Sequence, residues 1–371
     1  MIGSKGVPAS HVRGGGGIEA LVEELAVRLA EKGHAVTVYV RGYANPKKLK
    51  KFRGLNLVTI PTVPTKNLDT ITYSILATLH MLSQEVDVVH YHAVGPSTLS
   101  WVPRIFKYRT RVVCTFHARD RFHSKWGVLA RAYLAFGEWA CIAFPHRTIA
   151  ISHIIYRFCI RMFGAKNVVY IPNGVEIPTP HRSTTCIESM GLVPHEYFYT
   201  LSRLIPFKRI EDAIHAFHKV DTTKKLVIIG DAAEEDLGYE EKLHHLARKD
   251  PRVVFLGRRP HEEVDELIAH AYAMVHPSST EGLSVALLES MACGRLVIMS
   301  DIPENLELVD HSALSFPLRD VAALTAAIQM AVDDPTMVEE RGQRAKEVIR
   351  RLYTWGRVVD KTEKMYQDIA M

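Results

Sequence analysis

The chain has few cysteines and no long hydrophobic run among its 371 residues. Its five cysteines are scattered and odd in number, and no two stand at the spacing of a zinc site, so they predict buried thiols in a reducing compartment. The most apolar stretch, residues 126–144, is interrupted by Arg131 and Glu138, and no uninterrupted run approaches the roughly 18 residues of a membrane-spanning helix. The N-terminus lacks the apolar core of a signal peptide, which favours a cytoplasmic protein.

Motifs of several common enzyme classes are also missing. The sequence contains no Gly-x-Ser-x-Gly and no Walker loop, and its glycine run is not a Gly-x-Gly-x-x-Gly followed by an acidic residue at the expected distance. The sequence therefore does not support a serine hydrolase, a P-loop enzyme or an NAD enzyme. A glycine-rich turn before a helix can still bind phosphate, because glycine lets the backbone approach a ligand closely. We expect Gly16 and Gly17 to contribute to ligand binding in this way.

Short apolar runs alternate with amphipathic segments along the whole chain. Runs such as residues 111–117 predict buried strands, and the periodicity of residues 18–33 predicts an amphipathic helix. Continuous apolar strands separated by helices are typical of parallel sheets covered on both faces, so the fold class is α/β with two Rossmann-like domains. A stretch rich in Pro and Thr at residues 171–185 marks their boundary, which places the domains at residues 1–173 and 174–354.

Charge is distributed unevenly between the two halves. Residues 1–174 hold 23 Lys and Arg against 9 Asp and Glu, a net charge of +14, whereas residues 175–371 carry −9. The basic half predicts an anionic partner, unless the two halves complement each other. Residues 46–54 and 104–131 combine basic and aromatic side chains, which favours an anionic membrane surface over nucleic acid, with an ordinary solvated face as the alternative.

Two glutamates separated by seven residues are the most informative pair in the sequence. Glu281 stands in a loop after an apolar run, and the following residues open a helix that carries Glu289. A helix N-terminus suits phosphate, and carboxylates bind sugar hydroxyls. We therefore expect the backbone amides of Gly282, Leu283 and Ser284 to hold a diphosphate, and the two carboxylates to hold hydroxyls of a nucleotide-sugar. Two solvated surface glutamates are the simpler alternative.

Two cations and a group of histidines stand near the ends of other predicted strands. Arg203 ends a strand, and Lys208 stands at the start of the helix that follows. Arg203 and Lys208 can converge on a diphosphate and stabilise the charge that a departing nucleotide gains, although such residues are often merely solvated. His117 closes a strand, where ligands of α/β proteins bind. His90 and His92 lie on one face of another strand end, where they could line an acceptor site or bind a metal. The sequence offers them no third ligand, so we predict no metal site.

These motifs together resemble those of a known enzyme family. The segment from Glu281 to Glu289 resembles the E-x7-E signature of GT-B glycosyltransferases, most closely the large retaining family 4. The segment SRLIPFK, from Ser202, resembles that family's G-R-L-x-x-x-K, with Ser in place of Gly, and the glycine run followed by Glu19 matches its GG-x-E loop. Only Met1–Gly3 precede the first loop where relatives carry a longer strand, so the first strand is either short or begins upstream of Met1.

The resemblance covers nearly the whole chain and carries expectations for fold and function. It implies parallel sheets facing a central cleft, and a C-terminal helix, residues 355–371, that packs back on the first domain. It implies retaining transfer of a hexose from a nucleotide diphosphate-sugar to a lipid-linked or glycan hydroxyl. Arg203 and Lys208 would stabilise the diphosphate. Glu281 and His117 would contact the donor sugar, and Glu289 the ribose.

No Asp-x-Asp motif is present, although GT-A glycosyltransferases use it to hold a metal on the diphosphate. We therefore expect transfer without a metal and without a cofactor other than the donor substrate. Three alternatives remain, namely a GT-B nucleotide-sugar epimerase, a phosphorylase and a non-enzymatic binder of anionic surfaces. A phosphorylase needs a pyridoxal-binding lysine that the sequence does not indicate. The joint presence of Arg203, Lys208, Glu281 and Glu289 argues against a simple binder.

Overall fold

The computed structural model describes residues 1–9, 17–45, 47–65, 68–119, 121, 127–179, 183–233, 236–308 and 312–370. The chain divides into two compact units. The N-terminal unit comprises Met1–Gly174 and Trp355–Met371, and the C-terminal unit comprises Val175–Thr354. The boundary at Gly174 lies one residue beyond the end of the first domain expected from the sequence.

The N-terminal unit alternates strands and helices. In chain order its elements are α1 (Gly17–Glu31), β1 (Thr37–Arg41), β2 (Lys51–Phe52), β3 (Leu55–Ile60), α2 (Leu68–Leu82), β4 (Val88–His92), α3 (Val94–Ser97), α4 (Trp101–Phe106), β5 (Arg111–Phe116), α5 (Val128–Ala143), β6 (Arg147–Ala150), α6 (His153–Phe163) and β7 (Val168–Tyr170). Strands β4, β5, β6 and β7 are parallel neighbours in that order, and β1 pairs with β3 in parallel.

The first five residues join these two groups of strands. His92 donates its backbone N–H to the carbonyl of Ile2 at 2.8 Å, and Tyr39 donates to the carbonyl of Met1 at 3.1 Å. The segment therefore lies between β1 and β4 and pairs with β4 through an isolated parallel bridge between Ile2 and Tyr91. Gly3 is required there, because its φ is +133° and a Cβ atom would lie 2.2 Å from the His92 carbonyl oxygen.

The C-terminal unit holds one six-stranded parallel sheet. Its elements are α7 (Thr185–Ser189), β8 (Tyr197–Leu201), α8 (Ile210–Phe217), β9 (Lys225–Ile229), α9 (Leu237–Ala247), β10 (Val253–Gly257), α10 (His261–Ala269), β11 (Ala273–His276), α11 (Val285–Ala292), β12 (Leu296–Ser300), α12 (Pro303–Leu306), β13 (Leu314–Phe316), α13 (Val321–Asp333) and α14 (Pro335–Leu352). The strand order is β10-β9-β8-β11-β12-β13, so the direction of winding reverses between β8 and β11.

The last helix, α15 (Trp355–Ala370), belongs to the N-terminal unit and contacts α1. Lys32 pairs with Glu363 at 2.5 Å, and Tyr366 hydrogen-bonds Nδ1 of His90 at 2.5 Å. Trp355 packs so closely on Gly174 that a Cβ there would lie 2.5 Å from the indole ring. None of the helices in the described part of the chain has the length and hydropathy needed to cross a bilayer.

Candidate functional site

The reversal of winding between β8 and β11 marks a candidate ligand site in the C-terminal unit. In open α/β sheets, ligands bind beyond the carboxyl ends of the strands at such a switch point. The loop after β8 and the loop after β11 meet there. Ser279 donates its backbone N–H to the carbonyl of Phe207 at 2.8 Å and its hydroxyl to the same oxygen at 3.0 Å. The two loops are therefore fixed to each other.

Three of the side chains at this point form one cluster. The Glu281 carboxylate, whose side chain is 9% exposed, receives the Lys208 ammonium on Oε1 at 2.5 Å. Nε2 of His276, the last residue of β11, lies 2.9 Å from the same oxygen. The sequence placed Glu281 in a loop as a ligand-binding carboxylate, and the structure shows this carboxylate nearly buried and paired with a cation of the protein.

The electrostatics of the cluster fix its protonation state. Burial alone would raise the pKa of Glu281, but the Lys208 charge and the hydrogen bond from His276 outweigh burial and hold that pKa well below its usual range. Burial lowers the pKa of His276 despite the neighbouring carboxylate. Glu281 is therefore ionised and His276 neutral near pH 7, so the imidazole donates its Nε2 hydrogen to the carboxylate.

The position of Lys208 depends on a strained turn. Lys208 ends a 3₁₀ turn, Pro206–Lys208, and does not begin α8 as the sequence suggested. Arg209 follows with φ +50°, an uncommon conformation for a residue with a side chain. Its guanidinium binds both carboxylate oxygens of Asp212, at 2.6 and 2.8 Å. This bidentate pair holds the turn and so directs Lys208 toward Glu281.

The loop that carries Glu281 leads into α11. The helix begins at Val285, one residue beyond the stretch expected to open it, because Ser284 is its N-cap and accepts the backbone N–H of Leu287 on its hydroxyl at 3.4 Å. The side chain of Leu283 is buried and packs in the core. Gly282, Leu283 and Ser284 thus lie at a capped helix start, where their side chains offer no charged group and backbone amides are the groups suited to an anion.

Glu289 lies on α11 in surroundings different from those of Glu281. Burial raises the pKa of Glu289 to about 7, while His261 lowers that pKa and Asp265 raises it further. Across the part of the chain that the structure describes, its carboxylate forms no ion pair. The two predicted carboxylates therefore differ, since one is held ionised by a cation and the other is poised to titrate near neutrality.

Arg203 follows β8 and points to solvent. It makes no ion pair with any described residue, so the structure does not bring it together with Lys208 into one contact. Its position is set by the preceding Ser202, which donates its N–H to the carbonyl of Ile229 at 3.1 Å. Gly230 makes this crossing possible, because a Cβ atom there would lie 1.9 Å from the Ser202 carbonyl oxygen.

The remaining predicted site residues belong to the N-terminal unit. His117 follows β5 and is 6% exposed, and burial lowers its pKa to about 4. Its Nε2 lies 3.4 Å from Nδ1 of His92, which stacks on His90 with ring centroids 4.0 Å apart. Gly17 is the first residue of α1, and Gly16 lies outside the described residues.

His90 is held by hydrogen bonds at both of its ring nitrogens. Nε2 of His90 contacts the Thr115 hydroxyl at 2.6 Å, and its Nδ1 contacts Tyr366. Among the residues with described positions, no group of three or more His, Cys, Asp or Glu could hold a metal ion.

His276 is the site residue that the sequence reasoning missed. It is one of 19 histidines, and only its place as the last residue of an apolar strand, just before the loop with Glu281, distinguishes it. The same strand-end argument that selected His117 could have selected it.

Comparison with known proteins supports one family. The model of "Glycosyltransferase Family 4" matches residues 15–177, and that of "Glycosyl transferases group 1" matches residues 191–348. Glycogen synthase of Mycobacterium tuberculosis is 28% identical over 70% of this chain and 63% of its own length, so the chain spans less than two thirds of that relative. The gpi3 subunit of phosphatidylinositol N-acetylglucosaminyltransferase of Schizosaccharomyces pombe is 23% identical over 96% of this chain and 78% of its own.

A solved structure shows the same fold. Anabaena HepE, in complex with UDP and glucose, superposes with a TM-score of 0.81 at 18% identity and covers 95% of this chain and 96% of its own. The α/β class with parallel sheets is therefore confirmed, and the two family models follow one another along the chain as its two units do. The chain belongs to the GT-B glycosyltransferases of the family-4 type.

Proposed function

We propose that the chain transfers a hexose from a nucleoside diphosphate-sugar to a hydroxyl of a lipid-linked or glycan acceptor, with retention of configuration and without a metal or cofactor. The observation that carries this proposal is the Lys208–Glu281–His276 cluster at the carboxyl ends of β8 and β11, beside the capped start of α11. It supplies a cation, an ionised carboxylate and a helix N-terminus at one switch point.

The cations suit the leaving group. As the bond between sugar and phosphate breaks, negative charge grows on the departing diphosphate, and fixed cations at that point lower the barrier. An ammonium group has three N–H donors, and Glu281 takes one of those of Lys208. The other two can bind phosphate oxygens. Arg203 is exposed and adds a second cation to this side of the sheet.

The carboxylates suit hydroxyls of the donor. Oε1 of Glu281 accepts both protein hydrogen bonds, and within the described residues Oε2 accepts none. An ionised carboxylate can accept hydrogen bonds from sugar hydroxyls but cannot donate to phosphate. We assign Glu281 to the donor sugar and Glu289 to the ribose.

The named relatives support the choice of substrates. HepE forms complexes with UDP and glucose, which supports a nucleotide-sugar donor. Glycogen synthase and the phosphatidylinositol N-acetylglucosaminyltransferase are named for a glycan and a lipid acceptor, respectively. The excess of positive charge in residues 1–174 supports an acceptor presented at an anionic membrane surface.

The first test identifies the donor. UDP, GDP, ADP and TDP sugars are screened for their effect on the melting temperature, since a ligand that binds the native state raises it. The donor that binds is then supplied in labelled form with lipid and glycan acceptors, with and without EDTA. We expect a labelled glycoside whose anomeric configuration, read by NMR, matches that of the donor.

Other outcomes would contradict parts of the proposal. Conversion of the labelled sugar nucleotide without an acceptor would indicate an epimerase. Loss of activity in EDTA that magnesium or manganese restores would show that the diphosphate site uses a metal. An inverted product would contradict the retaining assignment.

A further inference from the structure

Three helices of the N-terminal unit turn large apolar side chains outward. The side chains concerned, with their exposed fractions, are Leu76 (40%) and Leu79 (55%) on α2, Ile105 (63%) and Phe106 (68%) on α4, and Phe136 (44%) and Trp139 (42%) on α5. Single exposed apolar residues are normal on a protein surface, but a group on adjacent elements indicates an interaction surface.

The three helices are neighbours on one side of the sheet. Right-handed connections between successive parallel strands place α4 and α5 on the same face of the sheet. The Ser100 hydroxyl, just before α4, donates to the carbonyl of Ala140 in α5 at 3.0 Å. Lys107, just after α4, donates to the carbonyl of Leu82 in α2 at 3.1 Å. We call the outward side of these helices the α2–α4–α5 face.

The outward side of α5 shows that the apolar character follows the helix period. Five of its exposed residues form a stripe spaced by three and four, namely Leu129, Ala132, Phe136, Trp139 and Ala143, and the exposed Val128 and Arg131 lie beside this stripe. A helix that faces only water carries polar residues in this stripe. The stripe is therefore suited to contact with something apolar.

The charges around α4 and α5 are almost all positive. Helix α2 and the residues after it, 68–87, add three acids, Asp69, Glu85 and Asp87, and no Lys or Arg. Residues 88–174 contain twelve Lys and Arg but only two Asp and Glu. One of these two acids, Glu138, is 1% exposed and pairs with Arg121 at 3.3 Å. The exposed Arg104 and Arg109 flank the exposed apolar pair of α4. The same face of a second copy would bring the same positive charges against it, whereas an anionic bilayer offers both opposite charge and an apolar interior.

We propose that the α2–α4–α5 face docks on an anionic lipid bilayer, with Ile105, Phe106 and Trp139 entering the boundary between head groups and acyl chains. This rests on the lipid-surface part of the proposed function and assigns the contact to a different place from residues 46–54. The lysines of that cluster are exposed, but its apolar members Leu49 and Phe52 are not, so it offers charge without an apolar anchor. Residues 122–126 of the basic and aromatic stretch lie outside the described residues.

The test is sedimentation with vesicles of phosphatidylcholine, with and without phosphatidylglycerol, at low and physiological salt. The parent protein should bind only the vesicles that contain phosphatidylglycerol, and less at higher salt. The variant Ile105→Ser/Phe106→Ser/Trp139→Ser should bind at least about tenfold more weakly, because three apolar side chains no longer leave water. Brominated lipids should quench tryptophan fluorescence in the parent protein more than in Trp139→Phe.

Two control variants locate the contact. Leu306→Ser/Met330→Ser/Leu352→Ser removes three apolar residues with 44%, 53% and 42% exposure from the C-terminal unit and should bind as the parent does. The quadruple replacement of Lys47, Lys48, Lys50 and Lys51 by Gln should weaken binding less than the Ile105→Ser/Phe106→Ser/Trp139→Ser variant. Circular dichroism confirms that each variant is folded.

The outcomes separate this proposal from the proposed function. No binding of the parent protein to phosphatidylglycerol vesicles at low salt would overturn the docking, as would equal binding by parent and Ile105→Ser/Phe106→Ser/Trp139→Ser variant. A parent dimer that dissociates in this variant during sedimentation equilibrium would assign the face to a second copy instead. Vesicle binding without any sugar transfer would count against the proposed function only. Sugar transfer to a soluble acceptor without vesicle binding would count against the docking only.

Discussion

Lys208 and Glu281 form a 2.5 Å ion pair although 73 residues separate them in the sequence. The pair joins the loop after β8 to the loop after β11, and His276 completes it from the end of β11. The cation proposed for the diphosphate and the carboxylate proposed for the sugar are therefore one electrostatic unit. A change to either residue removes the counter-ion of the other, so their mutational effects should not add.

Glu281→Gln should lower both turnover and stability. Loss of a transition-state contact of this kind costs about 2.7–4 kcal/mol, or roughly 10²–10³ in kcat. The amide also leaves the Lys208 ammonium, 16% exposed, without its ionised partner, which costs about 1–3 kcal/mol of unfolding free energy. Steady-state kinetics and urea unfolding measure the two effects.

The matched control for this substitution is Glu196→Gln. Glu196 pairs with Lys224 at 2.9 Å but is 49% exposed, so its loss should cost less than about 1 kcal/mol and leave turnover unchanged. Near-normal activity of a folded Glu281→Gln enzyme would remove Glu281 from the site.

Lys208→Ala and Arg203→Ala should both weaken the binding of a nucleoside diphosphate more than the binding of the nucleoside, because both cations are assigned to the phosphates. The two variants should differ in thermal stability, with Lys208→Ala the less stable. Lys208→Ala leaves the buried Glu281 carboxylate with His276 alone, whereas Arg203 is exposed and unpaired among the described residues. Calorimetry with each ligand and thermal melts test this, with the exposed Lys242→Ala as control. Equal losses for diphosphate and nucleoside would contradict the assignment.

Glu289 should make stability depend on pH in a defined window. Its folded pKa is raised from 4.5 to about 7, so between these values the folded protein binds more protons than the unfolded chain. The unfolding free energy contributed by this group is therefore fully present below about pH 4.5 and is lost as the pH rises through about 7. Glu289→Gln should remove this decline.

Urea unfolding of both proteins at pH 5 and pH 8 measures the effect. Between pH 5 and pH 8, the unfolding free energy of the parent should fall relative to that of Glu289→Gln. Glu340→Gln, on the exposed side of α14, serves as control and should run parallel to the parent. Parallel pH dependence of parent and Glu289→Gln would show that this carboxyl titrates in its ordinary range.

The sheets could be predicted from the sequence, and the family followed from the order of a few motifs. Buried parallel strands are apolar on both faces, so runs such as residues 225–231 identify them directly. Helix α5 was harder to predict. Its outward Phe136 and Trp139 remove the alternation of polar and apolar faces by which a surface helix is recognised.

The pairing within the site could not be predicted from the sequence. Glu281 and Lys208 were each selected as ligand-binding groups, but their contact depends on the register of β8 with β11 and on the φ of Arg209. Neither is encoded in a local pattern. Spacing thus indicated which residues gather at the switch point, and the loop conformations decided which of them neutralise each other.

Gly230→Ala should damage both stability and diphosphate binding, although Gly230 is not a proposed ligand. Its φ is +134°, and a Cβ would lie 1.9 Å from the Ser202 carbonyl oxygen, so the strand end that carries Arg203 must move. Backbone strain of this kind costs about 1–3 kcal/mol before the clash is added. Gly238→Ala is the matched control, because nothing lies within 4 Å of its Cβ and alanine favours α9 by up to about 1 kcal/mol. Urea unfolding and calorimetry with the nucleoside diphosphate measure both variants, and a Gly230→Ala protein as stable as Gly238→Ala would refute the close crossing at Ser202.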